Sequence, residues 1–313
     1  MDVLKVMTPG AYTTVQDAGR FGFQQMGVPV SGALDDFAFQ VANLLVGNGR
    51  NRAVLEITIM GPRFEVMAEA DMAIAGAQMH VRRNGDPLGS WCSFRVQPGD
   101  VLDIHQVQSG CRGYLAVSGG FDVPLIMGSH STYVGGRLGG FAGRPLVAGD
   151  VLAVPGVAPA HRSRRLPEEW IPDYPGEILL RAIPGPQDHF FYQGLDTLFS
   201  ADYMVTAKAD RMGYRLQGPA VEMCEGMPPS IVSEPSMPGS IQIPADAQPI
   251  ILFVEQTVGG YAKIATVVSV DLSCVAQATP GDTIRFESID LERAHDLYRE
   301  REALLEKIAA HLQ

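Results

Sequence analysis

The sequence predicts a mainly β protein of two β-rich domains, with one short helix near the N-terminus and a second helix at the C-terminus. Three observations lead there. Short segments alternate apolar and polar residues with period two, the mark of a sheet with one buried face. Thirty-four glycines and 22 prolines punctuate these segments, as turns between many strands require. A turn-and-strand pattern also recurs: Gly99-Asp-Val-Leu102, Gly149-Asp-Val-Leu152 and Gly281-Asp-Thr-Ile284.

Along the chain, residues 13–36 come first. They gather Thr13, Thr14, Gln16, Asp17, Arg20, Ser31 and Asp35 among glycines and Pro29. Such varied polar groups suit either a well-capped loop or a site that hydrogen-bonds a small polar ligand. A helix follows, from Leu34 to about Val46. Phe37, Val41, Leu44 and Leu45 share its apolar face, Asp35 or Asp36 caps its start, and Gly47 suits its end. Leu55–Ile59, Val101–Ile104 and Thr283–Phe286 alternate as half-buried strands. Tyr114–Val117, Ile178–Leu180, Ile250–Val254 and Ile264–Val270 are continuously apolar and read as strands buried on both faces. The stretch 155–175, rich in Pro, Arg and Glu, reads as a connector. It places the domains at 1–155 and 156–313. From Leu291, an apolar stripe through Ala294, Tyr298, Leu305, Ile308 and Leu312 predicts the terminal helix.

Bulk properties narrow the function. The 313 residues are 46% hydrophobic and 19% charged, with a formal net charge of −11. That balance argues against nucleic acid or an anionic membrane as the main partner. The basic run His161-Arg-Ser-Arg-Arg165 is short enough for a solvated connector. Cys92, Cys111, Cys224 and Cys274 form no C-x-x-C pair, and the histidines lack metal-ligand spacing. No metal site is expected, and free thiols suit a cytoplasmic protein. Neither a signal peptide nor an apolar run of membrane-spanning length is legible.

Three further groupings carry potential chemistry. Gln242, Gln248 and Gln256 interrupt apolar strands near Gly259-Gly260. They fit either amide or carboxylate recognition or a solvent-facing sheet. Asp210-Arg-Met-Gly-Tyr-Arg-Leu216 sets Arg211 and Arg215 around a Gly turn, where an arginine clamps an anion or ties down a loop. Gly135–Arg144 is Gly-rich without the ending of a P-loop, and Ser118-Gly-Gly120 offers backbone N–H groups without an accompanying Ser-His-Asp pattern.

Together these blocks resemble the biotin-dependent carboxyltransferase family of the allophanate hydrolase subunit 2 type, in its bacterial 5-oxoprolinase branch. The matching residues are Thr13-Thr-Val-Gln-Asp-x-Gly-Arg20, Gly32-Ala-Leu-Asp35, Ala42–Asn48, Leu55–Thr58, Tyr114–Gly120, Asp210–Leu216, Gly239–Gln242 and Gly259–Tyr261. The resemblance implies two cyclophilin-like β-barrels. It also implies ATP-dependent opening of 5-oxoproline to glutamate. Two partners are implied: a subunit-1-type protein like the B component of 5-oxoprolinase, and a lactam-utilisation-type protein like its A component. No Met-Lys-Met segment is present, so no biotin is expected on this chain. The expected catalytic residues are Asp17, Gln242 and Gln256. Expected substrate-binding residues are Thr14, Gln16, Arg20, Ser31, Asp35, Arg211, Thr257, Gly259 and Gly260. ATP is expected at a site shared with or held by a partner. The family's usual Asp, second Thr and a Gly are replaced by Val254, Val258 and Ala247. Two alternatives accompany this reading: the carboxyltransferase half of a urea-carboxylase-like system, and a non-catalytic regulator.

Overall fold

The computed structural model describes residues 1–156, 162–228 and 230–313. Packing divides the chain into two units. The first comprises residues 1–20, 31–174 and 304–313, and the second comprises 21–30 and 175–303. The expected boundary at 155/156 differs because the supposed connector is core material. Leu166 is buried beside Trp91, and Trp170 and Ile171 pack against the same cluster. Arg165 bridges Cys92 in strand fashion, so the described part of the basic run is an edge segment of the first unit. Residue 161 lies outside the described residues.

The first unit is a curled nine-stranded sheet. Its strands run in the order Tyr12–Gln16, Val54–Thr58, Val101–Val117, Arg63–Val66, Asp2–Thr8 and Val151–Ala153. The 14-residue strand Ala70–Arg83 lies along the 17-residue strand Val101–Val117, joining the alternating segment and the apolar run near 114 into one element. One face buries Leu4, Val15, Leu55, Ile57, Phe64, Leu102 and Leu115. The other carries the helix Asp36–Leu45 on Ala73, Ala75, Tyr114 and Ala116, together with Leu305, Ile308 and Leu312. Asp35 caps this helix through Ala38 N–H at 3.0 Å, and Gly47 follows its end at φ 78°.

The second unit is a closed seven-stranded barrel. Its order is Glu177–Pro184, Ala262–Val267, Ser240–Ile243, Ile250–Leu252, Gly213–Gln217, Asp202–Ala209 and Thr283–Ser288, the last closing on the first in parallel. Closure removes the edges of this sheet, so none of its strands is left to template aggregation. A separate ribbon pairs Glu234–Pro235 with Val258–Gly259. The helices Tyr192–Ser200 and Leu272–Gln277 add to the two that the sequence predicts. Both are short, at nine and six residues. The terminal helix spans Leu291–His311 as expected. No helix among the described residues is long and apolar enough to cross a membrane.

The recurring turn is one device used three times. Asp100, Asp150 and Asp282 each accept from the backbone N–H three residues earlier, at 2.8, 2.8 and 2.6 Å. The preceding glycines hold φ of 89°, 91° and 99°, a region that costs a side chain but not glycine. Each turn then launches a strand.

Candidate functional site

Polar residues of the 13–36 block form a buried hydrogen-bond network. The strand Tyr12–Gln16 delivers Thr14 and Gln16 side by side. Gln16 Nε2 donates to Thr14 Oγ1 (3.0 Å) and Thr132 O (3.2 Å), and its Oε1 accepts from Gly32 N–H (3.1 Å). Asp17 accepts from Gly19 N–H, Ser129 Oγ, His130 N–H and Ser131 Oγ. Three of these donors converge on Oδ1 and the His130 N–H takes Oδ2, so the buried carboxylate is engaged chiefly by its own loop. Arg20 is fully buried and spans the same loop, donating to Ile126 O and Ser131 O. Burial lowers its pKa, an effect opposed by the Asp17 charge. Ser31 stands at φ 56° with a buried hydroxyl that lacks a partner, as does Arg20 Nη1.

Asp35 belongs to a neighbouring chain of bonds. Its amide donates to Tyr114 Oη, Tyr114 donates to Glu56, and Tyr174 Oη reaches Asp35 at 3.2 Å. Burial, with the Glu56 and Asp35 charges, pushes the Tyr114 phenol well above its ordinary pKa, so it stays a donor. The backbone N–H groups of Ser118, Gly119 and Gly120 are likewise engaged, by Asp71 O, Asn48 Oδ1 and Val117 O. The Gly-rich loop 135–144 is stitched to residues 130–133, and its Arg144 forks onto Asp150.

The open chemistry lies on the barrel of the second unit. A 250 Å³ cavity is lined by Lys208, Asp210, Met212, Gly213, Arg215, Gln242, Ile250, Leu252, Gln256 and Tyr261. A 450 Å³ groove shares Lys208, Arg215 and Ile250 and adds Thr206, Gln217, Asp246 and Gln248. Gln248 is spent on Gly218, donating to its carbonyl and accepting from its amide. Gln242 differs: it is 2% exposed and its Nε2 has no hydrogen-bond partner. Gly259 packs against it, Thr257 O accepts from Ser236 N–H, and Gly260 O accepts from Ile231 N–H.

The expected arginine clamp shifts by four residues. Arg211 donates to Glu255 Oε1 at 2.6 Å, and both side chains are under 10% exposed. It therefore helps tie down the loop after Phe253. Arg215 takes the position at the cavity, and no ion-pair partner of it or of Lys208 exists among the described residues. Strand period could have found it. Tyr214 and Leu216 are buried in the barrel, so Arg215 between them faces outward. Asp210, whose Oδ1 accepts from Met212 N–H at 2.7 Å, is the carboxylate in the cavity wall. Among the described residues no group of three or more His, Cys, Asp or Glu is arranged for a metal ion.

These features accord with comparisons to known proteins. The family described as carboxyltransferase domain, subdomain A and B, matches residues 26–288. The C subunit of 5-oxoprolinase from Escherichia coli K12 is 35% identical over 99% of this chain and 99% of its own length. Its counterpart from Haemophilus influenzae is 34% identical over 98% and 97%. The crystal structure of the K. lactis urea amidolyase superposes with a TM-score of 0.92 at 30% identity, over 98% of this chain but 20% of that one. A pattern that spans most of the chain in sequence and nearly all of it in space fixes the relationship: the chain belongs to the carboxyltransferase family of subdomains A and B.

Proposed function

We propose that this chain is one component of an ATP-dependent 5-oxoprolinase, opening 5-oxoproline to glutamate together with B-type and A-type partners. The observation that carries the reading is the unbonded, buried amide of Gln242 in the wall of a cavity flanked by Arg215 and Lys208. A lactam presents one N–H and one C=O, which an amide side chain can match at both ends. The substrate carboxylate is the complement of an unpaired guanidinium. The end-to-end relation to the C subunits of 5-oxoprolinase supports the same substrate class.

A lactam carbonyl resists water at neutral pH. Transfer of the terminal phosphoryl group of ATP to its oxygen releases ADP and activates the carbon; water adds there, the ring C–N bond breaks with the nitrogen leaving as the amine, and a second water hydrolyses the resulting acyl phosphate to glutamate and phosphate. On this reading Gln242 and Arg215 orient the ring, Gln256 and Tyr261 line its far side, and Asp17 organises its own loop without touching substrate. ATP binding falls to a site completed by a partner. The TM-score of 0.92 to urea amidolyase favours one second reading, carboxyl transfer to urea, another small amide.

The test mixes the purified chain with both partners, ATP and 5-oxoproline and measures glutamate. Gln242→Ala is expected to cut turnover by at least tenfold, about the loss of one or two hydrogen bonds to substrate, while the complex still assembles. Absence of glutamate with all wild-type components sinks the reading. Turnover of urea with a carboxybiotin donor in its place establishes the second.

A further inference from the structure

Two buried polar atoms at one place in the barrel unit have nothing to bond. Gln242 Nε2 and Ser236 Oγ both lack a hydrogen-bond partner, and both residues are 2% exposed. They meet at Gly259. A Cβ on that glycine would sit 3.0 Å from Ser236 Oγ and would collide with Gln242 Nε2. Gly259 holds no left-handed backbone angle, so space and not conformation demands the glycine. Nearby charges are already spent. Lys263 is paired with Glu234, which also accepts from Gln187 Nε2, and the hydrogen bond from Lys263 holds the Glu234 carboxyl below its ordinary pKa.

An unpaired buried donor is costly, and a fold retains two together where a ligand supplies the acceptor. Here one donor is an amide N–H and the other a hydroxyl, both neutral, with no free cation between them. That pairing suits a neutral carbonyl oxygen better than a carboxylate, whose complement is Arg215. We propose, building on the 5-oxoprolinase reading, that Ser236 Oγ and Gln242 Nε2 form a two-donor seat for the carbonyl oxygen of an amide or lactam, beside Gly259, whose lack of a side chain makes room for the Gln242 amide. Ser236 is thereby a substrate-binding residue. The seat is buried beside the ribbon Glu234–Pro235/Val258–Gly259.

The experiment titrates the full chain with 5-oxoproline, 2-pyrrolidinone and proline while following the Gln242 side-chain amide by NMR, assigned with Gln242→Ala. Both lactams are expected to move that resonance. Proline, which lacks the ring carbonyl, is expected to leave it in place. Ser236→Ala should weaken 2-pyrrolidinone binding by about threefold to tenfold, the loss of one neutral hydrogen bond, without lowering Tm, because the hydroxyl bonds nothing in the free protein. Ser236→Cys, similar in size and a weaker donor, should fall between. No response to either lactam, an equal response to proline, or unchanged affinity in Ser236→Ala overturns the seat. Lactam binding at the seat without glutamate from the assembled complex refutes the 5-oxoprolinase reading alone.

Discussion

At the residue scale, the deciding property is whether a polar group is already occupied. Asp17 and Gln242 are both candidates by sequence, and the structure separates them: Asp17 accepts four hydrogen bonds from its own loop, whereas Gln242 Nε2 has no partner. Asp17→Ala is therefore expected to act on stability, by about 3 kcal/mol in urea unfolding, since it orphans buried hydroxyls and leaves Arg20 uncompensated. A second carboxylate gives a pH signature. Asp150 receives a fork from Arg144, and that hydrogen bonding holds its pKa below the ordinary 3.8. A depressed carboxylate contributes fully above its unfolded value and loses its contribution as pH falls through the folded one. The stability difference between wild type and Asp150→Asn should thus be constant above about pH 5 and shrink below about pH 4, as followed by thermal melts across acid buffers.

At the element scale, turns explain both what repeats and what is strained. The Gly-Asp turn is visible as a sequence echo because its two requirements, a left-handed residue and an acceptor, each select a residue type. Ala247 breaks the same logic. It closes a turn on Pro244 at φ 55°, where a methyl group is disfavoured. Ala247→Gly is expected to stabilise the barrel unit by up to about 1 kcal/mol, read as a raised urea midpoint, because strain relief exceeds the extra entropy of glycine. The alternating strands and the capped helix Asp36–Leu45 are legible because their periodicity is local. The helices Tyr192–Ser200 and Leu272–Gln277 are not, because at nine and six residues they span too few turns for a period to stand out against the strands around them.

At the scale of the whole molecule, neither unit is a continuous piece of chain. Residues 304–313 belong to the first unit, where Leu305 and Ile308 are fully buried in the cluster around Phe39 and Tyr114. Leu305→Ala should destabilise that unit by about 2–5 kcal/mol, the cost of a buried cavity. Limited proteolysis should then release fragments cut within residues 31–174 before any cut in the barrel. A boundary at 155/156 is the natural reading of a Pro- and Arg-rich stretch. Composition does not register that Leu166 fills a core position distant in sequence.

The sequence by itself determined the β class, the paired domains, the helix near the N-terminus, the recurring turns and the family, since each depends on local residue types in a fixed order. Tertiary structure decided which polar residues are free. Asp17, Gln16 and Arg211 are spent on partners as far away as Ser129, Thr132 and Glu255, while Gln242, Ser236 and Arg215 are not. Hydrogen-bond satisfaction is a property of neighbours brought together across the chain, so one sequence pattern serves equally for a closed loop and for a site awaiting its ligand.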